Sequence, residues 1–127
     1  FLMAISFTSC SNKSNNQTST TSEISKEISS QDISFGVRGN CGMCKTTIEN
    51  AANSLDGVSL ASWNIDQKTL VVSYDSSAVD EMSIHDAIAA SGYDTEKVLG
   101  NLDAYNSLPG CCQYDHEMEM NQVTKTE

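Results

Sequence analysis

The sequence predicts a small α+β domain from three observations. These are short runs of alternating apolar residues, two stretches with helical apolar spacing, and polar segments on either side of this patterned region. A chain of 127 residues has room for one domain with flanking segments. Residues 11–31 are mostly Ser, Thr, Asn, Gln, Lys and Glu, which predicts a flexible linker. We therefore expect the core within residues 32–99, followed by a tail over residues 100–127 that carries Cys, His and Met.

The predicted elements follow one another in the order β-α-β-β-α-β. Strands are expected at residues 33–37, 58–65, 70–74 and 93–99, and helices at residues 44–55 and 79–91. Apolar residues alternate in the first three of these strands, as in Leu70, Val72 and Tyr74, so each of the three has one buried face. Two split βαβ halves in this order make a ferredoxin-like βαββαβ sandwich, a four-stranded antiparallel sheet with two helices on one face.

The charge balance is acidic, with 17 Asp and Glu against 7 Lys and Arg and a net charge of −10. Nucleic acid is excluded as a partner on this basis, because neutralising phosphates requires clustered basic residues. An acidic surface is suited to a docking partner that presents a basic one.

The first ten residues end in an apolar run, small residues and Cys10, which is typical of the end of a secretory signal. Phe7-Thr8-Ser9-Cys10 resembles a bacterial lipobox. That resemblance implies cleavage before Cys10 and attachment of lipid to this cysteine. We therefore expect a lipid-anchored protein on the periplasmic side of a bacterial cell envelope, tethered to the membrane by the linker.

The chemistry is expected at Cys41-Gly42-Met43-Cys44, where the first strand meets the first helix. A helix N-terminus favours negative charge, so it should stabilise a thiolate, and Lys45 adds a positive charge nearby. Two thiolates select soft metals, among them Cu(I), Hg(II) and Zn(II). Cu(I) is favoured, since it accepts two sulfurs and leaves a place for an incoming thiol. The expected function is a non-enzymatic metal carrier or scavenger.

Several motifs together resemble the heavy-metal-associated domain. They are Asn40-Cys-Gly-Met-Cys-Lys45, Leu55-Asp-Gly-Val58, Leu70-Val-Val-Ser-Tyr-Asp75 and Ile88-Ala-Ala-Ser-Gly-Tyr93. This family includes copper chaperones, soluble domains of copper-pumping ATPases and a periplasmic mercury-binding protein. The resemblance implies that Cys41 and Cys44 are the metal ligands and that Tyr93 lies over the metal loop. It also implies a partner that is a metal-transporting membrane protein or another metal-binding protein. The family motif is usually Gly-Met-x-Cys-x-x-Cys, whereas Arg38-Gly39 stands before Asn40-Cys41 in this chain.

A second group of soft donors occupies the tail and consists of Cys111, Cys112, His116, Met118 and Met120. Thiolate, imidazole and thioether groups all suit Cu(I). These residues are candidate additional ligands that either form a separate site or fold back onto the first one. The alternative interpretation is a polar tail that happens to contain them.

A redox function is the competing interpretation of the first cysteine pair. Cys-Gly-Met-Cys-Lys is similar to the active-site motif of thioredoxins, which exchange thiols and disulfides. A thioredoxin fold needs a cis-proline facing that motif, and the single proline, Pro109, lies in the tail. The carrier is therefore the favoured function, and a small thiol-disulfide exchange protein is the alternative.

Overall fold

A computed structural model describes residues 29–121 of the chain. Its elements are β1 (Ser30–Gly36), α1 (Gly42–Asn53), β2 (Val58–Asn64), β3 (Thr69–Asp75), α2 (Glu81–Ala90) and α3 (Leu102–Asn106). The expected lipidation site Cys10 and the predicted linker up to residue 28 lie outside the described residues. The first strand begins at Ser30, two positions before the predicted start of the domain at residue 32. None of the helices within residues 29–121 has the length and apolar character needed to cross a membrane.

The three strands form one antiparallel sheet in the order β1-β3-β2. Leu70 of the central strand lies opposite Phe35 of β1 and opposite Trp63 of β2. Because alternate side chains of a strand point to the same face, this register gathers the apolar residues of all three strands on one side. The predicted periodicity of β2 and β3 is confirmed, since Trp63 and Leu70 are buried.

Two helices supply the other half of the hydrophobic core. The α1 helix contributes Cys44, Ile48 and Ala52, which recur every four residues along one face. The α2 helix contributes Ile84 and Ile88 with the same spacing. The core thus contains Cys44, one of the two cysteines of the metal motif, and this ties the motif to the packing of the domain.

The predicted fourth strand over residues 93–99 does not form in the described structure. A single antiparallel bridge joins Val37 to Thr95. Beyond it, the Thr95 amide donates to the Val98 carbonyl (2.8 Å), and the Val98 amide donates to Thr95 Oγ1 (3.0 Å). Because the Val98 amide is satisfied inside this tight turn, the ladder along β1 does not extend past the bond from the Glu96 amide to the Gly36 carbonyl.

Residues 100–121, part of the predicted tail that carries Cys, His and Met, pack against the domain. A short helix, α3, is followed by a 3-10 turn at Gly110–Cys112. Tyr114 lies next in the chain and is 1% exposed, and Tyr105 and Leu108 are partly buried against the same core. These apolar side chains give the segment enough buried surface to be held in place.

Candidate metal centre

The two cysteines of the motif lie at the amino end of α1. Cys41 precedes the first helical residue with an extended backbone (φ −148°), and Cys44 lies in the first turn. Their Sγ atoms are 3.9 Å apart. Cys44 is fully buried, whereas Cys41 is partly exposed, and the Asn40 amide donates to Cys44 Sγ (3.3 Å). The pair therefore has one sulfur anchored in the core and one that solvent reaches.

The surroundings of Cys41 favour its thiolate form. The backbone amides of Cys44 and Met43, at the start of α1, lower the pKa of Cys41 to about 7. This is the effect expected for a thiol at a helix N-terminus. Near neutral pH a large share of Cys41 is consequently deprotonated before any metal arrives.

The tail brings its two cysteines to this loop. The Sγ atoms of Cys41, Cys111 and Cys112 all lie within 4.8 Å of one another, and those of Cys111 and Cys112 are 3.9 Å apart. The Asn40 side chain donates to the Cys111 carbonyl at 3.2 Å, and the Cys41 thiol faces that same oxygen at 3.8 Å. Of the two arrangements considered for the tail cysteines, the structure has the folded-back one. All four of these thiols are free.

Met43 is a fifth sulfur at the cluster that was not counted among the candidate ligands. Its Sδ lies 3.6 Å from Cys111 Sγ, and its side chain is 54% exposed. The sequence did offer a signal for this residue: a long apolar side chain between two cysteines of an exposed loop cannot be buried in the core, so its thioether is left near the cysteines.

The interior side of the cluster contains a buried tyrosine. Tyr93, which was expected over the metal loop, is fully buried beside the thiols of Cys44 and Cys112. Burial, together with these thiols, raises the pKa of Tyr93 above its ordinary value. Among the described residues its hydroxyl has no hydrogen-bond partner. Burial, reinforced by Cys44, also raises the pKa of Cys112 to about 12, so this thiol is protonated in the metal-free protein.

Lys45, which was expected to add a positive charge near the thiols, has its own partners in the structure. Its ammonium group forms an ion pair with Glu49 one turn along α1 and donates to the Trp63 carbonyl at 2.8 Å. Glu49 also accepts from the Trp63 amide at 2.9 Å. Lys45 therefore joins α1 to β2, because a fixed carboxylate one turn away is a closer partner for its charge.

His116 helps to hold the tail against the domain by contacting the buried carboxylate of Asp94. Its Nδ1 lies 2.8 Å from Asp94 Oδ2, and Arg38 Nη1 approaches the same oxygen at 3.0 Å. Burial alone would raise the pKa of Asp94, but the bonds from His116, the Gly100 amide and Arg38 outweigh it and lower that pKa. This buried carboxylate connects the tail to the segment that precedes the metal loop.

The tail methionines also make contacts away from the loop. The Met118 carbonyl accepts from Arg38 Nε at 2.8 Å, and its side chain packs at the edge of the core. Met120 lies against β1, so closely that a Cβ added at Gly36 would be 2.6 Å from Met120 Cγ. These positions assign packing to Met118 and Met120 in the metal-free protein.

The loop also compensates for its departure from the family motif. Gly39 occupies the position where the family usually has methionine, and the Trp63 ring fills the adjacent space. A Cβ at Gly39 would lie 2.9 Å from Trp63 Cη2 and 3.2 Å from Cys44 Cβ. Trp63 Nε1 donates to the Val37 carbonyl at 3.0 Å, which holds the ring beneath the loop.

Known proteins resemble this domain in sequence and in fold. Residues 39–94 match the heavy-metal-associated domain. The copper chaperone CopZ of Staphylococcus aureus (strain JH9) is 42% identical over 66 residues, which are 51% of this chain and 96% of that protein.

Two solved structures have the same fold. A CopZ metallochaperone is 38% identical with a TM-score of 0.50, over 51% of this chain and 98% of its own. A copper binding domain from HMA7, a P-type ATPase, is 32% identical with a TM-score of 0.50, over 51% of this chain and 89% of its own. Fold and metal motif thus agree, and the chain belongs to the heavy-metal-associated domain family. The ferredoxin-like prediction is confirmed for the three-stranded part of the sheet and the two helices that the structure contains.

Proposed function

We propose that this protein is a Cu(I) carrier or scavenger that binds the ion through Cys41 and Cys44. The observation that carries the proposal is the sulfur pair, 3.9 Å apart at a helix N-terminus, in a domain similar to a copper chaperone over nearly that chaperone's whole length. Thiolates prefer soft ions, so Hg(II) and Zn(II) accept the same donors. Cu(I) is the proposed physiological metal because CopZ is a copper chaperone.

Binding uses the different environments of the two thiols. Cys41 is the exposed partner with the lowered pKa, so its thiolate makes the first bond to an arriving ion. Cys44 then binds and releases its proton to solvent, because only the thiolate is a metal ligand. Transfer reverses these steps when a thiolate of a partner replaces Cys41 on the ion. No bond in the protein is permanently changed, so the function is carriage and not catalysis.

The proposed place of action is the periplasmic side of a bacterial envelope, with the domain tethered through lipidated Cys10. Its partner would be a metal-transporting membrane protein or another metal-binding protein that presents a basic surface to this acidic chain. Mass spectrometry of the N-terminus from the native host tests the anchor. A diacylated Cys10 is expected, and an unmodified Cys10 within a longer chain would contradict it.

Competition with a chromophoric Cu(I) chelator under anaerobic, reducing conditions tests the binding site. The full chain with Cys41→Ser and Cys44→Ser should lose tight Cu(I) binding, while Cys10→Ser serves as the matched control that keeps it. Circular dichroism should show the same fold in both proteins. Unchanged affinity in the double variant would remove the proposal. A thiol-disulfide exchange protein would instead reduce a disulfide substrate with multiple turnovers, and such turnover by the parent would favour that alternative.

A further inference from the structure

We propose that Cys111 and Cys112 bind the same Cu(I) as Cys41 and Cys44, so that the tail closes a four-thiolate centre over the metal loop. The inference rests on the proposed function, which it deepens by adding ligands from outside the matched domain. In the metal-free structure the sulfurs of Cys41, Cys111 and Cys112 are within 4.8 Å of one another. Tetrahedral sulfurs at bonding distance from one ion are about 3.8 Å apart. The three clustered sulfurs, together with Cys44 Sγ at 3.9 Å from Cys41 Sγ, therefore already have spacings close to those around a bound ion.

The segment that carries Cys112 is fixed by a buried tyrosine. The Tyr114 hydroxyl donates to the Gly92 carbonyl at 2.7 Å and accepts from the Asp94 amide at 2.9 Å. Its own carbonyl accepts from the Tyr105 hydroxyl at 2.7 Å, and the two rings meet edge to face. A tail held in this way keeps its sulfurs at the loop without metal, which reduces the entropy lost on binding.

A second, independent observation is the Tyr93 hydroxyl. It is fully buried next to the Cys44 and Cys112 thiols and lacks a hydrogen-bond partner within the described structure. Leaving a buried hydroxyl unpaired is costly, and a neutral thiol is a weak acceptor. A cysteine sulfur bound to a metal is a thiolate, and either sulfur in that form would be a strong acceptor for this hydroxyl. The interior of the cluster is thus arranged for thiolates on both the loop and the tail.

A closed centre changes how the metal is released. With two ligands, Cu(I) is open to an incoming thiol, whereas ligands on the tail occupy that approach. The tail sulfurs also act at the high effective concentration of an intramolecular group, which strengthens retention by on the order of 100-fold. A protein with such a site retains copper until the tail is displaced, as a store or scavenger does.

The test compares full-length proteins in a Cys10→Ser background, so that only these four cysteines remain. The parent, Cys111→Ser and Cys111→Ser/Cys112→Ser are loaded anaerobically with one Cu(I) each. X-ray absorption then counts sulfurs per copper, and a chromophoric chelator measures the release rate. We expect the sulfur count to fall from about four in the parent to about two in the double variant. Release should become roughly 100-fold faster.

Cys111→Ser is the decisive arm, because Cys111 is exposed and its replacement leaves the buried packing intact. It should lower the sulfur count and speed release in the same direction as the double variant. Equal values for Cys111→Ser and the parent would overturn the proposal, even if the double variant differed. Cys41→Ser/Cys44→Ser tests the proposed function separately. If this variant still binds Cu(I) tightly, the proposed function is refuted. If it loses tight binding, the proposed function stands, and the Cys111→Ser result alone decides whether the tail supplies ligands.

Discussion

Replacing Tyr114 with phenylalanine tests how the tail is held without removing any sulfur. The substitution deletes one hydroxyl, which pairs two buried backbone groups, the Gly92 carbonyl and the Asp94 amide. Leaving such groups unpaired costs about 1–3 kcal/mol. At about 2 kcal/mol, the population of open tail rises about 25-fold, since each 1.4 kcal/mol is a factor of ten.

Hydrogen exchange measures this opening directly. In the metal-free Tyr114→Phe protein, the Cys112 and Tyr114 amides should exchange about 25-fold faster than in the parent, because both bond within the docked segment. Amides of β3 (Thr69–Asp75) should keep their parent rates. Tyr74→Phe is the matched control, because it removes a tyrosine hydroxyl from β3, outside the tail.

Metal binding extends the same experiment. If tail and loop share the ion, loading Cu(I) should restore slow exchange in the Tyr114→Phe tail, and it should not do so when Cys111→Ser and Cys112→Ser are added. Unchanged exchange in the metal-free Tyr114→Phe protein would refute the anchoring role of this hydroxyl. Equal acceleration in β3 would also refute it, since the hydroxyl would then support the whole core.

Three further predictions concern the loop and its supports. Gly39→Ala should lower the free energy of unfolding by about 1–3 kcal/mol, because the added Cβ meets the Trp63 ring. A urea titration followed by the fluorescence of this single tryptophan measures the change, and an unchanged midpoint would contradict the packing. Asp94→Asn should destabilise the protein by about 1–3 kcal/mol at pH 7 through its lost charged bonds. The pKa of Asp94 is lowered in the folded state, so its contribution to stability is present above the ordinary carboxyl pKa near 4 and disappears as the pH falls through the folded-state pKa. The stabilities of parent and variant should therefore converge in acid. A constant difference down to about pH 2 would contradict this. In the metal-free protein, alkylation of Cys41 by iodoacetamide should reach half its maximal rate near pH 7, with Cys112 unreactive there; peptide mass spectrometry would reject this if Cys41 titrated near 8.5.

Most of the fold was predictable because its elements depend on local periodicity. The alternation in β2 and β3 and the spacing of Ile48 and Ala52 in α1 each describe one buried face, which sequence alone reveals. The fourth strand was not predictable in the same way. Residues 93–99 do not alternate as β2 and β3 do, and the Thr95 hydroxyl accepts from the Lys97 and Val98 amides and closes a turn. A side chain that competes with a ladder for backbone hydrogen bonds in this way disfavours a strand.

The metal motif was predictable and the role of the tail was not. Two cysteines separated by two residues at a strand-to-helix junction indicate a soft-metal site from sequence, and the structure has them there. The docking of the tail depends on hydrogen bonds between Tyr114 and backbone groups 20 and 22 positions away. No periodicity encodes such pairs. Lys45 is a different case, because its partner Glu49 lies one turn further along α1, a spacing that is visible in the sequence.

The departure at Gly39 and the added tail act on the same loop. The Trp63 ring lies against Gly39 and contacts the region of Cys44, and the Asn40 side chain binds the Cys111 carbonyl. One contact fixes the loop from the sheet and the other fixes it from the tail, so the two motif sulfurs are preorganised at 3.9 Å before metal arrives. Preorganised donors bind more tightly because less freedom is lost on binding. A loop that is fixed from both sides is consistent with the retention of copper that the proposed four-thiolate centre implies.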